Sequence, residues 1–237
     1  MTERERTYLQ TPEQWTRFLS AFSHELRTPL ASLRMLAELL ETTHRDHPSG
    51  QERRYAENIQ KVVSDLQGLV GDVSDLARLL AGRVQVRLSD APLQTVVEQV
   101  KEAARPQAWE RGIAVMDSFD PALPQTFRTD PDLLRQVLTL LLAGAVGQAA
   151  SEVFFRLDFD DGDLRVILSS DGPPFPDAAA ELFEPFGEGS RTSRQHGGRS
   201  LGLPRAQEMT RALGGTLQAG NRGGRPTFDL FLPAGGP

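Results

Sequence analysis

The stretch FLSAFSHELRTPLASL, residues 18–33, sets a histidine beside a glutamate in a run whose apolar residues recur every three or four positions, and then adds a proline. From Trp15 the apolar residues fall at 15, 19, 22, 26, 30, 33, 36 and 40, the spacing of one face of a long helix. His24 is two residues from both Phe22 and Leu26, roughly 200° around the helix from each, so this reading points it away from the apolar face. An exposed histidine offers a neutral ring nitrogen at physiological pH and is a usable nucleophile. Glu25 is placed to take the proton from one ring nitrogen and make the other more nucleophilic. Thr28, at i+4, shares the face of His24. An isolated His-Glu pair on a helix is most often surface decoration, so its surroundings decide.

A polar stretch at 42–54, TTHRDHPSGQERR, reads as a connection with its turn at Pro48, Ser49 and Gly50. The pattern resumes at 55, 59, 62, 66, 69, 73, 76 and 80, in 4-3-4-3 steps over more than three heptads. Two long helices joined by a short loop make an antiparallel hairpin. A hairpin of this size does not cover its own seam, and pairing with a second copy into a four-helix bundle is the expected solution. The alternative is that the seam packs against the rest of the same chain.

Beyond AGRVQVRLSDAPL, residues 81–93, the pattern changes. Residues 93–110 read as a helix, 112–119 as a strand, and 131–149 as a helix opened by Asp130 and Pro131. The stretch 152–170 reads as a hairpin turning at Asp161-Gly162. A glycine-rich loop, a helix over about 201–213 and strands at GTLQAG and PTFDLFLP complete the order. The expected class is α+β: a helical hairpin at 15–82, preceded by an extension at 1–14, then a two-layer α/β sandwich with a mixed sheet over 92–237.

Composition narrows the function. Twenty-six basic against 32 acidic side chains give a net charge of −6, which argues against a sequence-independent grip on nucleic acid or a membrane surface. No cysteine is present, so disulfides, thiolate catalysis and cysteine metal sites are excluded, and the composition suits a reducing cytosol. The four histidines do not cluster at metal-ligand spacings, and no metal site is expected. The longest apolar run, VLTLLLAGAV at 137–146, is about half the ~20 residues a membrane span needs. The N-terminal MTERERTYLQ has no apolar core of the signal-peptide kind, and a cytoplasmic location is expected.

FSHELRTPLASL resembles the phosphoacceptor box of bacterial two-component histidine kinases. The hairpin, the LARLLAGRVQV exit and the later sandwich are similar to that family's dimerisation and ATPase-type domains, so the resemblance covers about 15–233. It implies that His24 carries a phosphoryl group, that Glu25 is its acid/base partner, and that Thr28 positions water when the same domain dephosphorylates a response regulator. It also implies a homodimer and receiver domains as partners. Pro29, which ordinarily costs a helix interior about 3 kcal/mol, is tolerated in that family as a mild kink.

The resemblance weakens at the nucleotide site. TDPDLLRQVLTLLLAGAVGQAA, 129–150, aligns with the family's asparagine-bearing helix, but the two asparagines fall at Leu140 and Gly144 and the following basic position at Gly147. In the family the second asparagine holds magnesium through its side-chain oxygen, which glycine lacks. The first glycine box, Asp-x-Gly-x-Gly, becomes Ser170, Asp171, Gly172, Pro173 and Pro174. Strand alternation puts Leu164, Val166, Leu168 and Ser170 on one face and Asp171 on the other, so serine takes the aspartate's place. Pro174 removes a backbone donor. ELFEPF at 181–186 keeps the phenylalanine box, and GRSLGL at 198–203 keeps Gly198 and Gly202 of the second glycine box with Ser200 where glycine is expected. Arg191, Arg194 and Arg199 in the lid region are the remaining cations for a phosphate.

The expected function is therefore a phosphorelay protein. A phosphorylated receiver delivers phosphoryl to His24, which passes it to the aspartate of another, with ATP binding lost or strongly impaired. No cofactor is expected. One rival is an active ATP- and magnesium-dependent autokinase with an unorthodox nucleotide site; the other is a non-catalytic pseudokinase scaffold.

Overall fold

The computed structural model describes residues 11–43, 51–176, 179–186 and 201–234, which leaves the predicted turn at 48–50 and the first ten residues outside. The chain divides into two compact units, Met1–Asp75 and Leu76–Pro237.

Helix α1 runs from Pro12 to Thr43. A reciprocal capping box opens it: the Gln14 N–H donates to Thr11 Oγ1 at 3.2 Å and the Thr11 N–H donates to Gln14 Oε1 at 3.0 Å. Pro12 occupies the first helical position, where no partner for an N–H is missed. The helix continues through Pro29. Helix α2 spans Gln51–Leu80, so residues 51–54 are helical where the sequence predicted loop. An i,i+4 ion pair from Arg53 Nε to Glu57 Oε1 at 2.9 Å supports this first turn.

On α2 the predicted seam holds: Leu76 is buried and the other seven positions are half-buried. On α1 it is displaced. Phe18, outside the predicted stripe, is only 6% exposed, with Trp15 edge-on at 5.9 Å and Phe22 stacked at 6.4 Å. Leu19 and Leu30 of the predicted stripe are each 54% exposed. Helix α2 ends in a Schellman motif, with Gly82 at φ +63°, its N–H on the Leu79 carbonyl and the Arg83 N–H on that of Arg78.

The second unit contains a ribbon and a five-stranded sheet. Strand β1 (Ser89–Pro92) pairs antiparallel with β3 (Thr126–Thr129), a ribbon the sequence did not announce. Between them lie helix α3 (Leu93–Arg111) and strand β2 (Ala114–Phe119). Helix α4 (Pro131–Gln148) follows, then β4 (Glu152–Asp160) and β5 (Asp163–Ser170), a short 3-10 turn at Ala179–Phe183, helix α5 (Gly202–Ala212), and β6 (Thr216–Arg222) with β7 (Arg225–Leu232). The strand order is β2-β4-β5-β7-β6; β2 and β4 are parallel and the rest antiparallel, the mixed sheet expected. Asp161 (φ +54°) and Gly162 (φ +93°) make the predicted two-residue turn, which needs positive φ at both positions.

One sheet face is apolar and buried: Val153, Phe155 and Leu157 of β4, Leu164, Val166 and Leu168 of β5, and Phe228, Leu230 and Leu232 of β7. Against it packs α4, which buries Leu134, Val137, Leu138, Leu141, Leu142 and Val146. Each such side chain contributes about 1.5–3 kcal/mol by leaving water. The opposite face is mixed: Phe154, Ile167 and Phe231 share it with Arg165, which forks Asp229 at 2.8 and 2.6 Å.

Asp130 sets the start of α4. One carboxylate oxygen accepts from the Asp132 and Leu133 N–H groups, and the other from the N–H of Arg87 at 2.8 Å, in the segment between α2 and β1. We expect Asp130→Ala to lose cap and tie together and to cost about 2 kcal/mol in chemical denaturation. Asp130→Asn, which keeps one oxygen for the cap and loses the acceptor for Arg87, should cost about half that; a loss near zero would show that the Arg87 contact contributes nothing.

Candidate functional site

The first group of site residues lies on α1. The His24 side chain is 72% exposed, as its offset from the apolar face predicts. The Glu25 carboxylate is on its Nδ1 side, with Oε1 at 3.9 Å, which leaves Nε2 facing outward. Thr28 is exposed on the same side, and its carbonyl accepts from Ser32 Oγ at 3.2 Å. Pro29 removes the N–H that would have bonded the Glu25 carbonyl, so the turn carrying these residues has one helical hydrogen bond fewer.

The second group surrounds the C-terminal half of α4. Leu140 and Gly144 are both partly accessible. A methyl group on Gly144 would lie 3.6 Å from the Phe228 ring and 3.7 Å from Leu203 Cδ2, in ordinary contact with both. A methyl on Gly202, at the start of α5, would meet Leu140 Cδ2 at 3.5 Å. Phe175 packs on Phe228 with ring centroids 5.2 Å apart. The surroundings of positions 140 and 144 are thus leucine and phenylalanine side chains. Gly147 faces Gln107.

Ser170 is 1% exposed and continues the face of Leu164, Val166 and Leu168, as strand alternation predicts. Asp171 points elsewhere. Its carboxylate accepts from the backbone N–H groups of Ala150, Ser151 and Glu152 at 2.9–3.0 Å and from the Ser151 hydroxyl at 2.5 Å. The Ser151 hydroxyl and these N–H groups hold it well below the usual carboxylate range.

Gly172 has a structural reason to be glycine: a Cβ there would fall 1.8 Å from the Gln148 carbonyl oxygen. Gln148 Nε2 in turn donates to the Pro173 carbonyl at 2.7 Å. Asn221 clamps Phe175 by accepting from its N–H and donating to its carbonyl, both at 2.8 Å. The segment from Asp171 to Phe175, with Pro174 exposed within it, is therefore fixed to the end of α4 and to β6.

Sequence reasoning missed these ties because their partners are 19 or more residues away in the chain. The Asp-Gly pair at a strand end was the available signal. Leu182 and Phe183 of the phenylalanine box are buried. Gly198, Ser200, Arg191, Arg194 and Arg199 lie outside the described residues. Among the described residues no group of three or more His, Cys, Asp or Glu is arranged to hold a metal ion, and no helix is long and apolar enough to cross a membrane.

A helical hairpin bearing an exposed histidine beside a half-buried glutamate, followed by a sandwich with a mixed sheet, defines a phosphotransfer core of two-component signalling. The chain belongs to the histidine-kinase family: residues 14–82 match the His Kinase A (phospho-acceptor) domain, and residues 129–236 match the histidine kinase-, DNA gyrase B-, and HSP90-like ATPase family. It is 28% identical over 248 aligned residues to the sensory/regulatory protein RpfC of Xanthomonas campestris, covering 98% of this chain and 32% of that protein. Among solved structures, the histidine kinase AdeS of Acinetobacter baumannii superposes with a TM-score of 0.73 at 20% identity, over 90% of this chain and 98% of that one. Full-length ShkA in complex with AMPPNP gives a TM-score of 0.70 at 30% identity, over 94% of this chain and 46% of that one. The chain thus spans about a third of the length of the curated relative it matches.

The depressed Asp171 carboxylate carries a pH signature. A group whose folded pKa is lowered adds stability above its unfolded pKa, near 4, and that stability is lost as pH falls below it. The melting temperature of the wild-type sandwich should therefore drop as pH is lowered from about 5 to about 2. Asp171→Asn should melt lower at neutral pH and show a shallower acid slope; parallel profiles for the two proteins would refute the role given to Asp171.

Proposed function

We propose that this chain is the core of a phosphorelay protein. His24 accepts a phosphoryl group from the aspartyl phosphate of one receiver domain and returns it to the aspartate of another. The protein acts as a homodimer, and its sandwich serves docking in place of ATP-driven phosphorylation. In the acceptor step Nε2 attacks phosphorus, the receiver's acyl phosphate P–O bond breaks, the carboxylate leaves, and Glu25 takes the Nδ1 proton. Thr28 is assigned the positioning of water for the reverse, hydrolytic use of the site.

The observation that carries the ATP-independent part of this reading is the chemistry at positions 140 and 144. A leucine and a glycine there offer α4 no side-chain oxygen for magnesium, and Leu203, Phe228 and Phe175 supply apolar surface alongside. Ser170 in the buried strand position, with Asp171 committed to the turn before β4, leaves the end of β5 without a carboxylate for an adenine amine. A hydrogen bond to a charged group is worth about 1.5–3 kcal/mol. Losing two such contacts takes a micromolar site to roughly millimolar. The homodimer is supported by Leu19, Leu30 and Met35, all more than half exposed on α1. They are too many apolar side chains for a helix with no further partner.

The autokinase remains the second reading, favoured by the match of residues 129–236 to the ATPase family and by the likeness to ShkA, whose structure contains AMPPNP.

Two experiments test these proposals. His24→Gln should keep the wild-type melting temperature, because its side chain is solvent-facing, and should accept no label from a panel of phosphorylated receivers; a labelled variant would place the acceptor elsewhere. Magnesium with ATP at millimolar concentration should leave the melting temperature unchanged. A ligand at 100 times its dissociation constant adds about 2.7 kcal/mol, so a working site of tens of micromolar affinity would raise it by several degrees. A shift of that size with labelling of His24 would restore the autokinase.

A further inference from the structure

The face of α1 that presents His24 also presents a cation to which no described residue gives a counter-charge. Arg27 is three residues on, about 60° around the helix and about 4.5 Å along it. The positions three and four away from Arg27 are Ser23, His24, Leu30 and Ala31, so its own helix gives it no carboxylate. Arg34, one heptad later, pairs with Glu38 at 3.0 Å. Arg27 is exposed and makes no hydrogen bond or ion pair with any described residue. Among the positions three and four away, His24 is its sole ionisable neighbour.

The nearby hydroxyls sharpen the contrast. Ser23 Oγ donates back to the Leu19 carbonyl at 2.7 Å and Ser32 Oγ to that of Thr28, so both serve the helix itself. On the C-terminal side of His24 the uncommitted side-chain donors are Arg27 and Thr28. Helical side chains lean toward the N-terminus, and the stem of arginine is longer than the ~4.5 Å rise, so the guanidinium reaches the level of the imidazole. Glu25 occupies the Nδ1 side, so a group added at Nε2 stands clear of that carboxylate.

We propose that Arg27 binds the oxygens of the phosphoryl group as it arrives at His24 Nε2 and while it is carried there. This rests on the acceptor reading of His24 and adds a residue to it. The planar fork of guanidinium matches two phosphoryl oxygens, and its charge meets the two negative charges that the group brings. The pair is solvent-exposed, so its worth is limited and salt-sensitive.

The test uses the full chain and potassium phosphoramidate, a small donor that needs no partner protein. In that reaction Nε2 attacks phosphorus, the P–N bond to ammonia breaks, the new P–N bond forms, and the imidazole proton released through Glu25 completes an ammonium ion. Phosphohistidine is followed by phosphorus NMR at low and high salt. Arg27→Ala should accept phosphoryl roughly fivefold more slowly at low salt, with a rate nearly independent of salt, while the wild-type rate falls as salt is added. Arg27→Lys, which keeps the charge without the fork, should lie between. Wild-type and Arg27→Ala rates that coincide, with the same salt dependence, overturn the proposal. So does a slow Arg27→Lys that has lost helicity along with Arg27→Ala, since the residue is then structural. A wild-type chain that takes no phosphoryl at His24 overturns the acceptor reading, and the proposal with it.

Discussion

The end of α4 is the point on which the sandwich depends. There the Gln148 carbonyl and the Gly172 backbone approach so closely that no side chain fits between them. Around this contact Asp171 collects the N–H groups of residues 150–152, Gln148 holds Pro173, and Arg111 of α3 donates to the Val146 and Ala149 carbonyls. These bonds satisfy the helix end, where carbonyls lack helical partners, and fix the strand that follows. Because α4 packs on α3, α5, β4, β5 and β7, an error in its placement would spread to every layer of the unit.

The same contact bears on how a site of this family changes. The loop after β5 is held by ties within the fold, to Gln148 of α4 and Asn221 of β6. Packing against the Gln148 carbonyl by itself requires a glycine at 172. Positions 140, 144 and 170 carry no such obligation, and there the side chains are leucine, glycine and serine, each compatible with the apolar layer next to it. A glycine box read from sequence therefore includes a demand of backbone approach, which the structure locates at Gly172.

Most of the architecture was legible where a periodic pattern met a defined stop. The α2 seam, the Asp130-Pro131 opening of α4, the Asp161-Gly162 turn and the faces of β5 all follow from local spacing and local stereochemistry. The exposure of His24 was legible for the same reason. What escaped depends on distant partners or on short elements. The β1-β3 ribbon has four residues per strand, too few to show alternation, and joins segments nearly 40 residues apart. Phe18 was missed because the three-and-four pattern admits neighbouring stripes on a broad apolar arc, and tertiary packing chooses between them.

Pro29 gives α1 a mechanical property that neither its length nor its apolar face would suggest. The hydrogen bond it removes is the one that would tie the Glu25 carbonyl to the next turn, immediately beyond the histidine. Bending a helix strains its backbone bonds, and at this point there is one fewer to strain, so compliance is concentrated there. The segment from the Thr11 cap to Thr28 can tilt as a stiff rod against the remainder, and the imidazole near the joint then changes direction with little change of position.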